Sequence, residues 1–284
     1  TKERPLGAVD SGGVSNPFRE LPSILKNKSF QHHAGLFIGS QTAADFLAAL
    51  FLYYITSVLD KQPYYSSIMA ALLIVPVIMM PIYIRIAKRY QKTTPMHFGL
   101  IIWAVALLST LFVSVEYWYL IYIIAAISGI GTSSSVFVPW TILPDVTDVD
   151  EIISGRRREG IYGGMATFLR KIANGITLAL LGIFLDLIGY LTPEELSAQG
   201  LTSQSPDTIW GLRVLFATIP TVFILLAFVF SLRYGVNEER HTILREEINR
   251  LKLGGRKEDV SAQARLVCER LTGMNYKELW NTKS

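Results

Sequence analysis

Six apolar stretches, each long enough to cross a bilayer as a helix, constrain this chain more than any other feature. They are read at 34–58, 66–86, 96–115, 118–143, 160–190 and 210–234. Backbone inside hydrocarbon has to satisfy its own N–H and C=O groups, which a helix does within one segment. The fold class expected is therefore an all-α membrane protein with six transmembrane helices. Residues 1–33 form a preceding loop, 34–235 the six-helix bundle and 236–284 a polar tail. Half of the residues are hydrophobic, and the mean hydropathy is +0.34. A soluble domain of this length does not repeat runs of this kind.

The sequence pI is near 9.1, which by itself suggests nucleic acid as a partner. The basic residues argue otherwise, because they sit between and after the apolar runs. One side of the bundle receives Lys2, Arg4, Arg19, Lys26 and Lys28, then Arg85, Lys88, Arg89 and Lys92, then Arg156, Arg157 and Arg158, then the basic tail. The other side receives little beyond Lys61 and Arg213. Positive charge accumulates in cytoplasmic loops. The expected topology thus has both termini in the cytoplasm, in a plasma (inner) membrane, with the lipid bilayer as a partner and no nucleic acid. Cys268 is the only cysteine, so no intrachain disulfide forms. The chain begins at Thr1 with no signal peptide and is read as a portion of something longer.

Within this frame, residues 1–33 open as a Gly- and Pro-bearing linker and continue into a short interfacial helix with Leu21, Ile24 and Leu25 on one side. Pro76 and Pro81 predict kinks in the second span. Gly129, Gly131, Thr132, Ser133, Ser134 and Ser135 in the fourth read as close helix packing. The tail carries amphipathic helical spacing through Ile243, Ile248 and Leu251.

Lys171 stands out chemically. It lies eleven residues into the fifth span, a rise of about 16 Å and so near mid-membrane. An ionised side chain at that depth faces a cavity or a partner. Helical spacing places Gly164, Thr167 and Asn174 on its face. Asp45, with Gln41 one turn before it, lies at similar depth in the first span and is the natural candidate to pair with Lys171 or to meet a cation or sugar hydroxyl; Asp45, Gln41 and Asn174 join Lys171 as candidate solute or coupling contacts. Arg170 points about 100° away, toward another helix or a lipid phosphate. Tyr53, Tyr54 and Trp140 are candidates to stack on a solute ring, against the plainer reading as interfacial aromatics.

The segment 145–159 reads as a charged loop, with Asp145, Asp148, Asp150 and Glu151 followed by Arg156, Arg157, Arg158 and Glu159. A carboxylate cluster can bind metal, but arginines follow at once, so a charge-paired gate or helix-end clamp is the expectation, against the plainer reading as a solvated loop, and no metal site is assigned. His32, His33, His97 and His241 lie at or beyond span ends, and no phosphate loop or nucleophile motif is present. No catalytic residue and no cofactor is assigned, and a membrane-embedded enzyme is disfavoured.

The pattern PDVTDVDEIISGRRREGIYGG…FLRKIANGI resembles the signature of the glycoside–pentoside–hexuronide:cation symporters, the melibiose-permease group of the major facilitator superfamily. That group has an aspartate-bearing end of a tenth helix, a charged loop, and an eleventh helix with a lysine. The resemblance implies that the chain is the C-terminal half of such a transporter: central loop, helices seven to twelve and cytoplasmic tail. It implies cation-coupled symport, with Na+ or H+ as coupling ion, of a sugar or related small solute, by alternating access against an N-terminal half. It places Lys171 and Thr167 in the solute and cation region, and Asp145, Asp148 and Arg158 in a cytoplasmic gate. The family's galactoside-stacking tryptophan would fall near Val136, whereas this chain has Trp140 one turn later. The same superfamily group includes sodium-coupled lysophosphatidylcholine transporters with the helix-eleven lysine, so a lysophospholipid is the alternative solute.

Overall fold

The computed structural model describes residues 17–280. Six helices in it are long and apolar enough to cross a membrane. The short helix α1 (Pro17–Lys26) leads to α2 (Lys28–Tyr53), which widens into a π-helical turn over Tyr54–Val58. Then come α3 (Tyr65–Arg89), α4 (Thr94–Ser109), α5 (Leu120–Ser154) and α6 (Glu159–Leu187). A small helix α7 (Pro193–Ala198) interrupts the loop before α8 (Pro206–Arg233). Two tail helices follow, α9 (Glu238–Lys252) and α10 (Ala262–Thr272). No strand occurs among the described residues. The expected linker at the start lies outside the described residues, as does the Leu21 side chain; of the interfacial stripe, Ile24 is buried and Leu25 exposed.

Two ends of the bundle are distinguished by their cross-helix bonds. At the basic end, Asn27 caps α2 by accepting from the Phe30 N–H, and its Nδ2 donates to the Tyr162 hydroxyl at 3.2 Å. At the other end the Tyr54 hydroxyl donates to the Thr110 carbonyl, and Arg213 donates to the Leu111 carbonyl.

Helix α2 packs against α5, α6 and α8, and α5 is clasped by α3 and α4. Small residues on α5 set that closeness. A Cβ added at Gly131 would lie 2.2 Å from the Trp103 Cβ of α4, so only glycine fits there. The Ser133 hydroxyl of α5 donates to the Pro76 carbonyl of α3 at 3.0 Å. The glycine- and serine-rich stretch of the fourth span is therefore a packing device. Phe46, Phe51, Tyr54, Trp103 and Phe216 are fully or almost fully buried and form the aromatic centre of the core.

Helix α5 continues where a loop was expected. It has 35 residues, about 52 Å of helix, against a hydrocarbon thickness of about 30 Å. Its last turns, carrying Asp145, Asp148, Asp150 and Glu151, thus stand beyond the apolar layer while remaining helical. The helix stops at Gly155, whose φ of 70° closes the last turn with its N–H on the Glu151 carbonyl. Pro139 and Pro144 lie inside α5. Pro139 lacks the N–H that would pair with the Ser135 carbonyl four residues earlier. Gln41 of α2 supplies the donor instead, its Nε2 at 3.3 Å from that oxygen.

The tail is folded onto the basic end. The Ser29 hydroxyl donates to the Leu271 carbonyl at 2.7 Å, and the Trp280 N–H donates to the Ile152 carbonyl at 2.8 Å. Leu244, Ile248 and Leu251 bury the apolar face of α9. Glu247 of α9 is held by Arg250 and by the Tyr276 hydroxyl; burial acts against its ionised form, but these bonds outweigh it and lower its pKa. Burial pushes the Cys268 thiol of α10 up to about 12, which leaves little reactive thiolate at neutral pH.

Candidate functional site

Two clusters carry the polar chemistry of the bundle. The first is near the middle of the spans. Asp45 of α2 receives both nitrogens of the Arg170 guanidinium, Nη1 at 2.5 Å and Nη2 at 2.7 Å, and the Asn174 Nδ2 at 3.0 Å. The expected partner of Asp45 was Lys171. The difference is one of helix rotation: residues 170 and 174 are one turn apart on the face of α6 that meets α2, and 171 is about 100° further round. Arg170, read from sequence as reaching another helix or a lipid phosphate, is the partner. The fork geometry suits a guanidinium against a carboxylate better than it suits an ammonium.

Lys171 and Thr167 are instead exposed, on a face of α6 that no other described element covers. Cβ atoms added at Gly160, Gly163, Gly164 and Gly175 would meet nothing within 4 Å. Of the α6 side chains only Tyr162, Met165, Ala166, Thr177 and Leu181 are buried. The Thr167 hydroxyl is turned back to the Gly163 carbonyl of its own helix at 2.9 Å. Helix α6 thus has an inner polar face latched to Asp45 and an outer polar face left open. Of the face expected to unite Gly164, Thr167, Lys171 and Asn174, three members are on the outer side and Asn174 is turned inward.

The aromatic candidates separate as well. Trp140 is 48% exposed and meets Phe37 edge-on with centroids 5.5 Å apart. Tyr53 is partly exposed and packs edge-on against Tyr190 at 5.1 Å. Tyr54 is fully buried, stacked on Phe216 at 4.3 Å, and is a core residue out of reach of a solute. Gln41 is engaged with the proline break in α5.

The second cluster is at the basic end. Asp145 is paired with Lys92 at 2.7 Å and lies 3.6 Å from the His241 Nε2. Asp148 takes the same imidazole nitrogen at 2.8 Å, and Arg157 stands 3.5 Å away. Of the arginines 156–158, Arg157 is the one that reaches Asp148, whereas Arg158 binds Asp150, with Nε at 2.8 Å and Nη2 at 2.5 Å. Asp150 is fully buried and also accepts from the Tyr162 hydroxyl at 2.9 Å. Glu151 pairs with Lys252 of the tail. The Tyr234 hydroxyl donates to the Ile142 carbonyl of α5 at 3.4 Å. A cavity of about 640 Å³ opens beside Asp145, between Lys88, Lys92, Thr141, His241 and Arg245. Sequence reasoning found the carboxylates but missed His241, Lys92 and Lys252, which lie far away in the chain and reach the cluster only through the fold. No group of three or more His, Cys, Asp or Glu side chains placed to hold a metal ion occurs among the described residues.

The sequence profile of a family described as MFS/sugar transport protein matches residues 4–238. An uncharacterised symporter of Synechocystis is 24% identical over 231 residues, 81% of this chain and 42% of that protein. The sodium-dependent lysophosphatidylcholine symporter 1 of Gallus gallus is 25% identical over 241 residues, 84% of this chain and 44% of that protein. A protein of Salmonella typhimurium provisionally assigned as a sulfoquinovose importer is 33% identical over 171 residues, 59% of this chain and 34% of that protein. The chain spans less than half the length of these relatives.

Proposed function

Because the chain belongs to the MFS/sugar transport protein family, we propose that it forms one half of a cation-coupled secondary transporter that works by alternating access. The open polar face of α6 lines the solute pathway, and the other half of the transporter covers it. The observation that carries this reading is the exposed Lys171 near the middle of a membrane span. An ammonium against lipid at that depth is costly, by at least about 2.5 kcal/mol. A face bearing it is therefore turned toward water or another protein surface. Lys171 and Thr167 contact the solute or its coupling ion, Na+ or H+, and Trp140 and Tyr53 border the pathway. Asp45, Arg170 and Asn174 hold α6 in register behind it.

The solute is a sugar or related small solute, in keeping with the family description and with the relative assigned to sulfoquinovose. A lysophospholipid is the second reading, favoured by the Gallus gallus relative. The basic end, with the gate at Asp145 and Asp148, faces the cytoplasm, and the membrane is the plasma (inner) membrane. The test is solute accumulation in sealed vesicles carrying the intact protein, with and without an imposed Na+ or H+ gradient. Gradient-driven accumulation supports the reading. Uptake of neither a sugar panel nor a lysophospholipid under any gradient contradicts it.

A further inference from the structure

A second pocket, of about 310 Å³, lies at the basic end between the start of α2, the end of α8 and the two tail helices. Its wall includes Lys28, His32, Arg233, Arg240 and Arg270 and contains no carboxylate. Several other cations at this end have a carboxylate partner: Lys92 with Asp145, Arg158 with Asp150, Arg250 with Glu247 and Lys252 with Glu151. Among the described residues, Lys28, Arg233, Arg240 and Arg270 form no ion pair, and the Arg240 guanidinium donates only to the Gly235 carbonyl, at 2.8 Å. The chain as a whole carries a net charge of only +4, so this grouping is local and not a reflection of composition. Like charges drawn into one concavity repel, and an anion seated among them relieves that repulsion.

The position of the pocket indicates the anion. Lys28 begins one membrane span and Arg233 ends another, so the pocket sits at the boundary between hydrocarbon and water. Leu232, 59% exposed, is also in its wall and offers apolar surface beside the cations. The pocket is built by the docking of the tail, since the Ser29–Leu271 hydrogen bond fixes α10 against α2. We propose that it binds a phosphate ester anion, the headgroup of an anionic phospholipid whose acyl chains lie along the α8 end near Leu232. Basic pockets at helix ends suit such headgroups, and each nearby cation strengthens the attraction.

Native mass spectrometry of the intact protein in detergent tests this with phosphatidylglycerol, phosphatidylcholine and inorganic phosphate as probes. Phosphatidylglycerol is expected to be retained over phosphatidylcholine. The double variant Arg233→Gln/Arg270→Gln is expected to weaken that retention about 30-fold, and Arg233→Lys/Arg270→Lys to restore most of it. Arg270→Gln alone, at an exposed tail position, is expected to weaken it about fivefold, which keeps the test available if the double variant does not fold. Equal retention of the two lipids, or phosphatidylglycerol retention unchanged in Arg270→Gln, overturns the proposal. Displacement of phosphatidylglycerol by millimolar inorganic phosphate overturns the lipid as occupant and assigns the pocket to a soluble phosphate.

Discussion

Arg170 and Asp45 form a two-bond fork across the α6–α2 interface, near the middle of the membrane-spanning segments, with Asn174 as a third donor to the same carboxylate. Both side chains are mostly enclosed, at 27% and 15% exposure. The pair fixes the rotation of α6, and that rotation turns Lys171 outward. Removing either partner alone leaves a charge stranded in an apolar surround, whereas removing both does not. The double variant Asp45→Ala/Arg170→Ala is expected to be more stable than the sum of the single variants implies, by about 1–3 kcal/mol. Thermal unfolding of the four purified proteins measures this, and strict additivity refutes the latch.

Asp150 and Asp145 are expected to behave differently although both sit on the last turns of α5. Asp150 is fully buried between Arg158 and Tyr162, and Asp150→Ala is expected to cost about 3 kcal/mol or more. Asp145 meets Lys92, which is 45% exposed, and Asp145→Asn is expected to cost about 1 kcal/mol or less. Surface abundance and melting temperature compare the two. Equal losses contradict the division of this cluster into a structural half and a gating half.

Much of this architecture was readable in advance. Continuous apolar runs identified six spans, because a helix is the one way for such a run to satisfy its backbone in lipid. Basic loops separated the two ends. The depth of Asp45 and Lys171 marked the middle of the bundle. The pairing of Asp45 was not readable, since consecutive residues Arg170 and Lys171 offer two charges on faces 100° apart, and only the rotation of α6 against α2 decides between them. The end of α5 was hidden for a different reason. Clustered charges suggest a loop, but residues 92, 241 and 252 arrive from distant parts of the chain and match the carboxylates, so the helix persists.

Gln41 was read from sequence as a solute contact beside Asp45, yet its carboxamide repairs the Ser135 carbonyl left open by Pro139. Gln41→Leu is expected to lower stability by about 1–2 kcal/mol, the cost of an orphaned buried acceptor. Uptake per folded molecule is expected to stay within about twofold of the parent protein. Lost uptake at unchanged melting temperature contradicts this assignment and returns Gln41 to the solute pathway.

The central claim is that the outward face of α6 lines a solute pathway, and Lys171 carries it. Its side chain makes no ion pair among the described residues, so its removal strands no carboxylate within this bundle. The most direct measurement is gradient-driven uptake by Lys171→Ala in the intact protein, normalised to its abundance in the membrane. The account predicts near-normal abundance, an unchanged melting temperature and uptake reduced at least about 100-fold, consistent with loss of a preorganised charged contact worth about 3 kcal/mol. Normal coupled uptake by well-expressed Lys171→Ala would contradict it.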